Sequence, residues 1–189
     1  MQKKLPKVYL FIDKFNSLEL NDLNKNISII YRNYKKKINE STLLSLKNYC
    51  KNNKRKLFLA NNIKLAIKYK LDGIYIPSFV KTKNFNLYSK QKNFIIVGSA
   101  HNKQEIIIKK NQGCSSIFLA PIFKVNKKNK YLDINRFNLL TLNINTNFIA
   151  LGGINENNVK KINLLNCVGF SGISGIKKTG LTIKIRPVL

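Results

Sequence analysis

Eight short apolar runs, set apart by longer segments with polar faces, constrain this chain more than any other feature. They fall at Val8–Ile12, Ile27–Tyr31, Leu57–Ala60, Gly73–Ile76, 94–97, Ser116–Leu119, Asn147–Leu151 and 168–173. Most are rich in Ile, Val, Phe and Tyr, which suits strands buried on both faces of a parallel sheet. The intervening segments read as helices where apolar residues fall at helical spacing. Segment 40–51 has Leu43, Leu44, Leu46 and Tyr49, and 62–69 has Ile63, Ala66 and Ile67. Segment 103–110 has Ile106 and Ile107, and 157–165 has Val159, Ile162 and Leu165. The segments after the first and fourth runs read as weak helices. Strands alternating with helices call for an α/β fold with a parallel sheet. An open doubly wound sheet usually carries a glycine-rich turn after its first strand, and Asp13-Lys14-Phe15-Asn16 has no glycine. A closed (β/α)8 TIM barrel needs eight units, and eight are present. At 189 residues the chain is shorter than the roughly 200 at the low end for such barrels. A compact barrel with tight loops is therefore expected, as one domain over residues 1–189.

Composition narrows the class. A hydrophobic content of 44% with 10% aromatics is enough for a core and excludes the disordered class. The 35 Lys and Arg against 8 Asp and Glu give a net charge of +27. One reading is a polyanion partner: nucleic acid, a membrane surface or a phosphorylated metabolite. The other is a compositional lean toward Lys, Asn and Ile along the whole chain. The spread favours the second, because nucleic-acid footprints cluster on one face or tail. No specific nucleic-acid or membrane partner is therefore expected, and the basic stretches Lys35-Lys36-Lys37, Lys54-Arg55-Lys56 and Lys127-Lys128 lie apart. Cys50, Cys114 and Cys167 match no metal or disulfide spacing. Cys114 and Cys167 lie in or beside apolar runs and read as small core residues, which fits a reducing cytoplasm. The run Val8–Ile12 is too short for a signal peptide and ends in Asp13. No stretch approaches the roughly 18 apolar residues of a membrane span. Nothing in the sequence sets an oligomeric state.

In a barrel of this kind the site lies at the C-terminal ends of the strands, with phosphate bound after strands seven and eight. The matching segments are Ala150-Leu151-Gly152-Gly153-Ile154-Asn155 and Gly169-Phe170-Ser171-Gly172-Ile173-Ser174-Gly175. Glycine lets a backbone approach an anion closely, and free N–H groups at a helix start bind it. The paired turns read as a phosphate cradle, with tight-turn geometry alone as the alternative. His101 is the one histidine and the one side chain that ordinarily titrates near neutrality. It is an acid–base candidate, though ordering of its own turn is the favoured role. Arg32, within Tyr31-Arg32-Asn33-Tyr34 at the end of the second run, is either a bidentate phosphate contact or a surface arginine capping the barrel.

These segments, in order, resemble the thiamine phosphate synthase and TenI-like family. Ile149-Ala150-Leu151-Gly152-Gly153-Ile154 resembles its seventh strand, and Gly98-Ser99-Ala100-His101 its Gly-Ser-x-His turn after strand five. Ala120-Pro121-Ile122-Phe123 with Lys127-Lys128 is similar to its strand-six loop. Leu65-Ala66 with Asp72-Gly73, Ile30-Tyr31-Arg32, and Val8-Tyr9-Leu10-Phe11-Ile12-Asp13 complete a match over nearly the whole chain. The resemblance implies an enzyme joining an aminopyrimidine methyl diphosphate to a thiazole phosphate. Cationic groups and Mg²⁺ would assist the leaving diphosphate. It places Arg32, Ser99 and Lys128 toward the diphosphate, and Gly152, Gly153, Ile173 and Ser174 around the thiazole phosphate. Asn61, His101 and Tyr34 stand behind them.

The departures concern the metal. The family's two Mg²⁺ carboxylates fall on Asn61 and near Val80, and no acid follows Val80 until Glu105. A hard cation prefers anionic oxygen, so no protein metal site is expected, and Mg²⁺ only with a bound diphosphate. The family's strand-two Gln and Lys fall on Ile30 and Tyr34, and its strand-six threonines on Val125 and Lys127. The TenI-like tautomerase histidine falls on Pro121. The expectation is an eroded diphosphate half beside an intact phosphate half, with Arg32, Asn61, Ser99 and Gly153 at one rim.

Overall fold

A computed structural model describes residues 5–34, 38–82, 85–91, 93–125 and 130–172. Eight parallel strands close in sequence order into a barrel. They are β1 (Val8–Ile12), β2 (Ile27–Tyr31), β3 (Leu57–Ala60), β4 (Gly73–Ile76), β5 (Ile95–Ala100), β6 (Ser116–Leu119), β7 (Asn147–Leu151) and β8 (Gly169–Gly172). Outside them lie α1 (Ser17–Asn21), α2 (Glu40–Asn52), α3 (Ile63–Lys68), α4 (Asn86–Ser89), α5 (Lys103–Asn111) and α6 (Asp133–Thr141). The segment after β7 forms a 3₁₀ helix, Val159–Leu164, where the sequence pattern predicts an ordinary helix. Helices α1 and α4, of 5 and 4 residues, are the two expected to be weak. Helix α6 escapes a sequence reading, but it buries Phe137 and Thr141.

Side chains alternate across each strand, so every strand serves two cores. One set faces the barrel axis: Tyr9, Phe11, Ile30, Phe58, Ala60, Tyr75, Ile95, Val97, Phe118 and Ile149. The other set, including Leu10, Ile29, Leu59, Ile74 and Leu119, packs against Leu43, Leu46, Ala66, Ile106 and Phe137 from the helices. The axial set is aromatic. Phe118 meets Tyr9, Phe11 and Tyr75 edge-on at centroid distances of 4.9, 5.6 and 5.7 Å. Edge-to-face contact is the favoured geometry for such rings, and it fills the barrel as a packed core.

The N-terminal end of the barrel is locked by two charged residues. Arg55 is buried, and its guanidinium donates to the carbonyls of Leu20, Leu23, Asn24 and Ile27. Asp72 accepts from the Leu57 N–H at 2.9 Å and so ties β3 to the start of β4. At the opposite end asparagines start the helices. The side chains of Asn16, Asn39, Asn62 and Asn102 each accept from an N–H of the first turn of α1, α2, α3 and α5. Cys50, Cys114 and Cys167 are all free and buried. No helix among the described residues is long and apolar enough to cross a membrane.

Candidate active-site mouth

Parallel pairing puts the ends of β2, β3, β5 and β7 at one rim, so Arg32, Asn61, Ser99 and Gly153 share it. The Arg32 N–H donates to Ile12 O at 2.8 Å, extending the β1–β2 ladder by one residue. Its guanidinium carbon sits 4.8 Å from the centroid of Phe11, a cation–π contact over the aromatic axis. Gly98, Ser99 and Ala100 belong to β5 itself, where the sequence reading places a turn. Ser99 is consequently 5% exposed and accepts a 2.8 Å hydrogen bond from the Tyr75 hydroxyl. Burial holds that hydroxyl above its ordinary pKa, while the Ser99 bond and Arg32 pull it back.

Tyr34 and Phe79 meet across the rim at 5.5 Å between centroids, nearly perpendicular. Burial is the main cause that raises the Tyr34 hydroxyl pKa; Tyr75 adds to it and Arg32 opposes it. Asn61 has φ 55°, the left-handed region that asparagine tolerates, and its N–H donates to Tyr75 O at 2.9 Å.

On the β7 side, Gly152 and Gly153 have φ of 94° and 74°. Ile122 and Phe123 donate their N–H groups to Leu151 O and Gly152 O, stitching the loop after β6 onto this turn. Asn158 Nδ2 donates to Gly153 O at 2.8 Å. Among the described residues the N–H groups of Gly152, Gly153 and Ile154 meet no backbone carbonyl. The need for glycine differs from the sequence reading. A Cβ on Gly153 would lie 2.5 Å from Phe123 O, so the neighbouring loop already excludes it before any anion is considered. The 3₁₀ helix starts six residues after Gly153 and has only 6 residues, so it is not the helix start assumed beside the turn. A hollow of about 390 Å³ lies beside this turn, lined by Lys124, Asp133, Asn155, Asn158 and Lys161 among others.

His101 donates its N–H to Glu105 at 2.8 Å, and its Nδ1 lies 2.7 Å from Ala120 O. It therefore links the ends of β5 and β6. Lys128, Ile173 and Ser174 lie outside the described residues. Tyr75, Phe79 and Phe11 are mouth residues that sequence reasoning did not single out. The available signal was strand parity, because Phe11 and Tyr75 fall on the axial face of runs already recognised.

The donors present do not fit a protein-held Mg²⁺. Asn61 offers a neutral oxygen, the 77–80 loop has no acid, and Glu105 is engaged by the His101 N–H. Among the described residues no three His, Cys, Asp or Glu side chains stand together in a metal-binding group.

A family model described as thiamine monophosphate synthase matches residues 24–176. A thiamine-phosphate synthase of Prochlorococcus marinus (strain AS9601) is 30% identical over 164 residues, covering 80% of this chain and 46% of that protein. One of Methanococcus vannielii is 28% identical over 125 residues, covering 63% of this chain and 58% of that protein. The chain thus spans about half the length of these curated relatives. The solved thiamine phosphate pyrophosphorylase from Pyrococcus furiosus shares the fold with a TM-score of 0.72 at 14% identity, over 93% of this chain and 92% of that one.

Proposed function

The chain belongs to the thiamine monophosphate synthase family, and from that premise we propose that it joins an aminopyrimidine methyl diphosphate to a thiazole phosphate through a divergent site. The C–O bond of the pyrimidine methylene breaks, and diphosphate leaves with the bonding pair. The thiazole nitrogen then donates its lone pair to the carbon, forming thiamine phosphate. In this reading Arg32, Ser99 and Lys128 face the diphosphate. Gly152, Gly153, Ile173 and Ser174 hold the thiazole phosphate, while Asn61, His101 and Tyr34 shape the rim.

The observation that supports it best is the position of Arg32. The guanidinium is held at 4.8 Å from the ring of Phe11, a member of the inner aromatic core, and its charge acts on Tyr34 and Tyr75. A fixed cation there stabilises a departing diphosphate by preorganised charge. A small phosphorylated substrate is the partner this implies, in a protein active as one domain in the cytoplasm.

The donor set favours a second reading, a barrel that binds a phosphorylated thiazole or thiamine phosphate without turnover. Single-turnover chemistry separates the two. With protein in excess over both substrates, thiamine phosphate and diphosphate are expected to form, roughly 10²-fold more slowly in Arg32→Ala. Thiazole phosphate binding without product would establish the second reading. Absence of both binding and product would end the proposal.

A further inference from the structure

Two aromatic side chains occupy the part of the rim where the family resemblance calls for a lysine, at Tyr34, and for an acid, beside Phe79 near Val80. Tyr34 leaves the end of β2, and Phe79 belongs to the loop after β4. Their rings meet at 5.5 Å and 78°. Strand β3 separates β2 from β4 and ends at Asn61, so the pair bridges across the strand that carries the first lost carboxylate. The residues remain 49% and 61% exposed. That is a large apolar surface kept wet at the mouth of a barrel.

Phe79 does not sit there by default. Lys109 on α5 is fully buried, and its Nζ donates to Val80 O at 2.6 Å and to Gln112 Oε1 at 2.9 Å. Gln112 Nε2 also donates to Val80 O, at 3.1 Å, and the Val80 N–H closes onto Pro77 O. A lysine sunk in the protein therefore fixes, from behind, the turn that presents Phe79. A cation is at hand: Arg32, whose guanidinium carbon is 4.8 Å from the Phe11 ring, acts electrostatically on the Tyr34 hydroxyl.

We infer that this half of the mouth grips a planar heteroaromatic ring on the Tyr34–Phe79 pair, with Arg32 on an anionic substituent of the same ligand, in place of carboxylates bridged by a divalent cation. Stacking is indifferent to metal, and a fixed guanidinium takes over the charge. The choice of an aminopyrimidine as that ring rests on the proposed function.

The test is calorimetry on the full chain, with EDTA and then with Mg²⁺, using an aminopyrimidine methyl diphosphate and, separately, a thiazole phosphate. The pyrimidine compound is expected to bind in EDTA, roughly tenfold more weakly in Phe79→Ala, and normally again in Phe79→Tyr. Thiazole phosphate affinity should be unchanged in both variants. Phe79 is exposed, so these variants should melt like the parent. Unchanged pyrimidine affinity in Phe79→Ala, binding only with Mg²⁺, or no pyrimidine binding overturns the clasp. If the pyrimidine binds as expected and thiazole phosphate does not, the clasp stands and the proposed function falls.

Discussion

Single residues here show how a compositional lean becomes structure. Asparagine, abundant along the chain, is spent on caps: Asn16, Asn39, Asn62 and Asn102 each start a helix. Arg55, which reads in sequence as one member of a basic stretch, is buried and donates to four backbone carbonyls. The cysteines are buried too, and that has a pH consequence. Burial pushes the thiols of Cys50 and Cys114 up to about 12 and that of Cys167 to about 11, from 9.0. A raised folded pKa means that the native state holds protons the unfolded chain has released. The stabilising contribution is complete below 9.0 and is lost as pH climbs toward 11–12. The lowered Lys109 amine works in the opposite sense below 10.5, one group against three. Urea midpoints should therefore be flat from pH 7 to 8.5 and fall from pH 9 to 10.5, with a shallower fall in Cys114→Ala. A midpoint that rises across that interval would contradict the burial of the thiols.

At the scale of elements, the strands were legible because each is a short apolar run, and their order followed from eight repeats. Two elements were read less well: α6, which the sequence reading passed over, and Val159–Leu164, whose apolar spacing of three suits a 3₁₀ helix as well as an α-helix. The site divides similarly. Strand ends placed Arg32, Asn61, Ser99 and Gly153 at one rim, whereas Phe79 needed the Lys109 network, which no local pattern announces. Chemistry read into the Gly152-Gly153 turn proves to be architecture first. Gly153 has φ 74°, and an added Cβ would meet Phe123 O at 2.5 Å and Lys124 O at 2.7 Å. Both atoms are backbone of the loop stitched onto the turn, so relief requires moving the loop. Gly153→Ala is accordingly expected to cost about 2 kcal/mol or more in the ligand-free protein, measured by urea unfolding. A loss seen only with phosphate ligands present would restore the simpler reading, in which glycine serves the anion alone.

For the molecule as a whole, the net charge of +27 is a physical load whatever its origin. Like charges repel more when the chain is compact than when it is extended, so the excess destabilises the fold. With 35 basic against 8 acidic residues, ion pairing relieves little of it, and the pairs Lys68–Glu40 and Arg136–Asp133 are both exposed. Exposed pairs contribute little to stability. The repulsion is instead long-ranged and open to screening, with a Debye length of about 30 Å at 0.01 M salt and about 10 Å at 0.1 M. Raising sodium chloride across that interval should therefore lift the thermal midpoint by several degrees. Screening alone treats all salts of one ionic strength alike, which provides the control. If a phosphate cradle lies at the mouth, phosphate should lift the midpoint beyond chloride at equal ionic strength, by an amount that saturates with concentration as binding does. A midpoint indifferent to salt would mean that the positive charges are already compensated. Equal lifts by phosphate and chloride would leave screening as the whole effect and remove this support for an anion site.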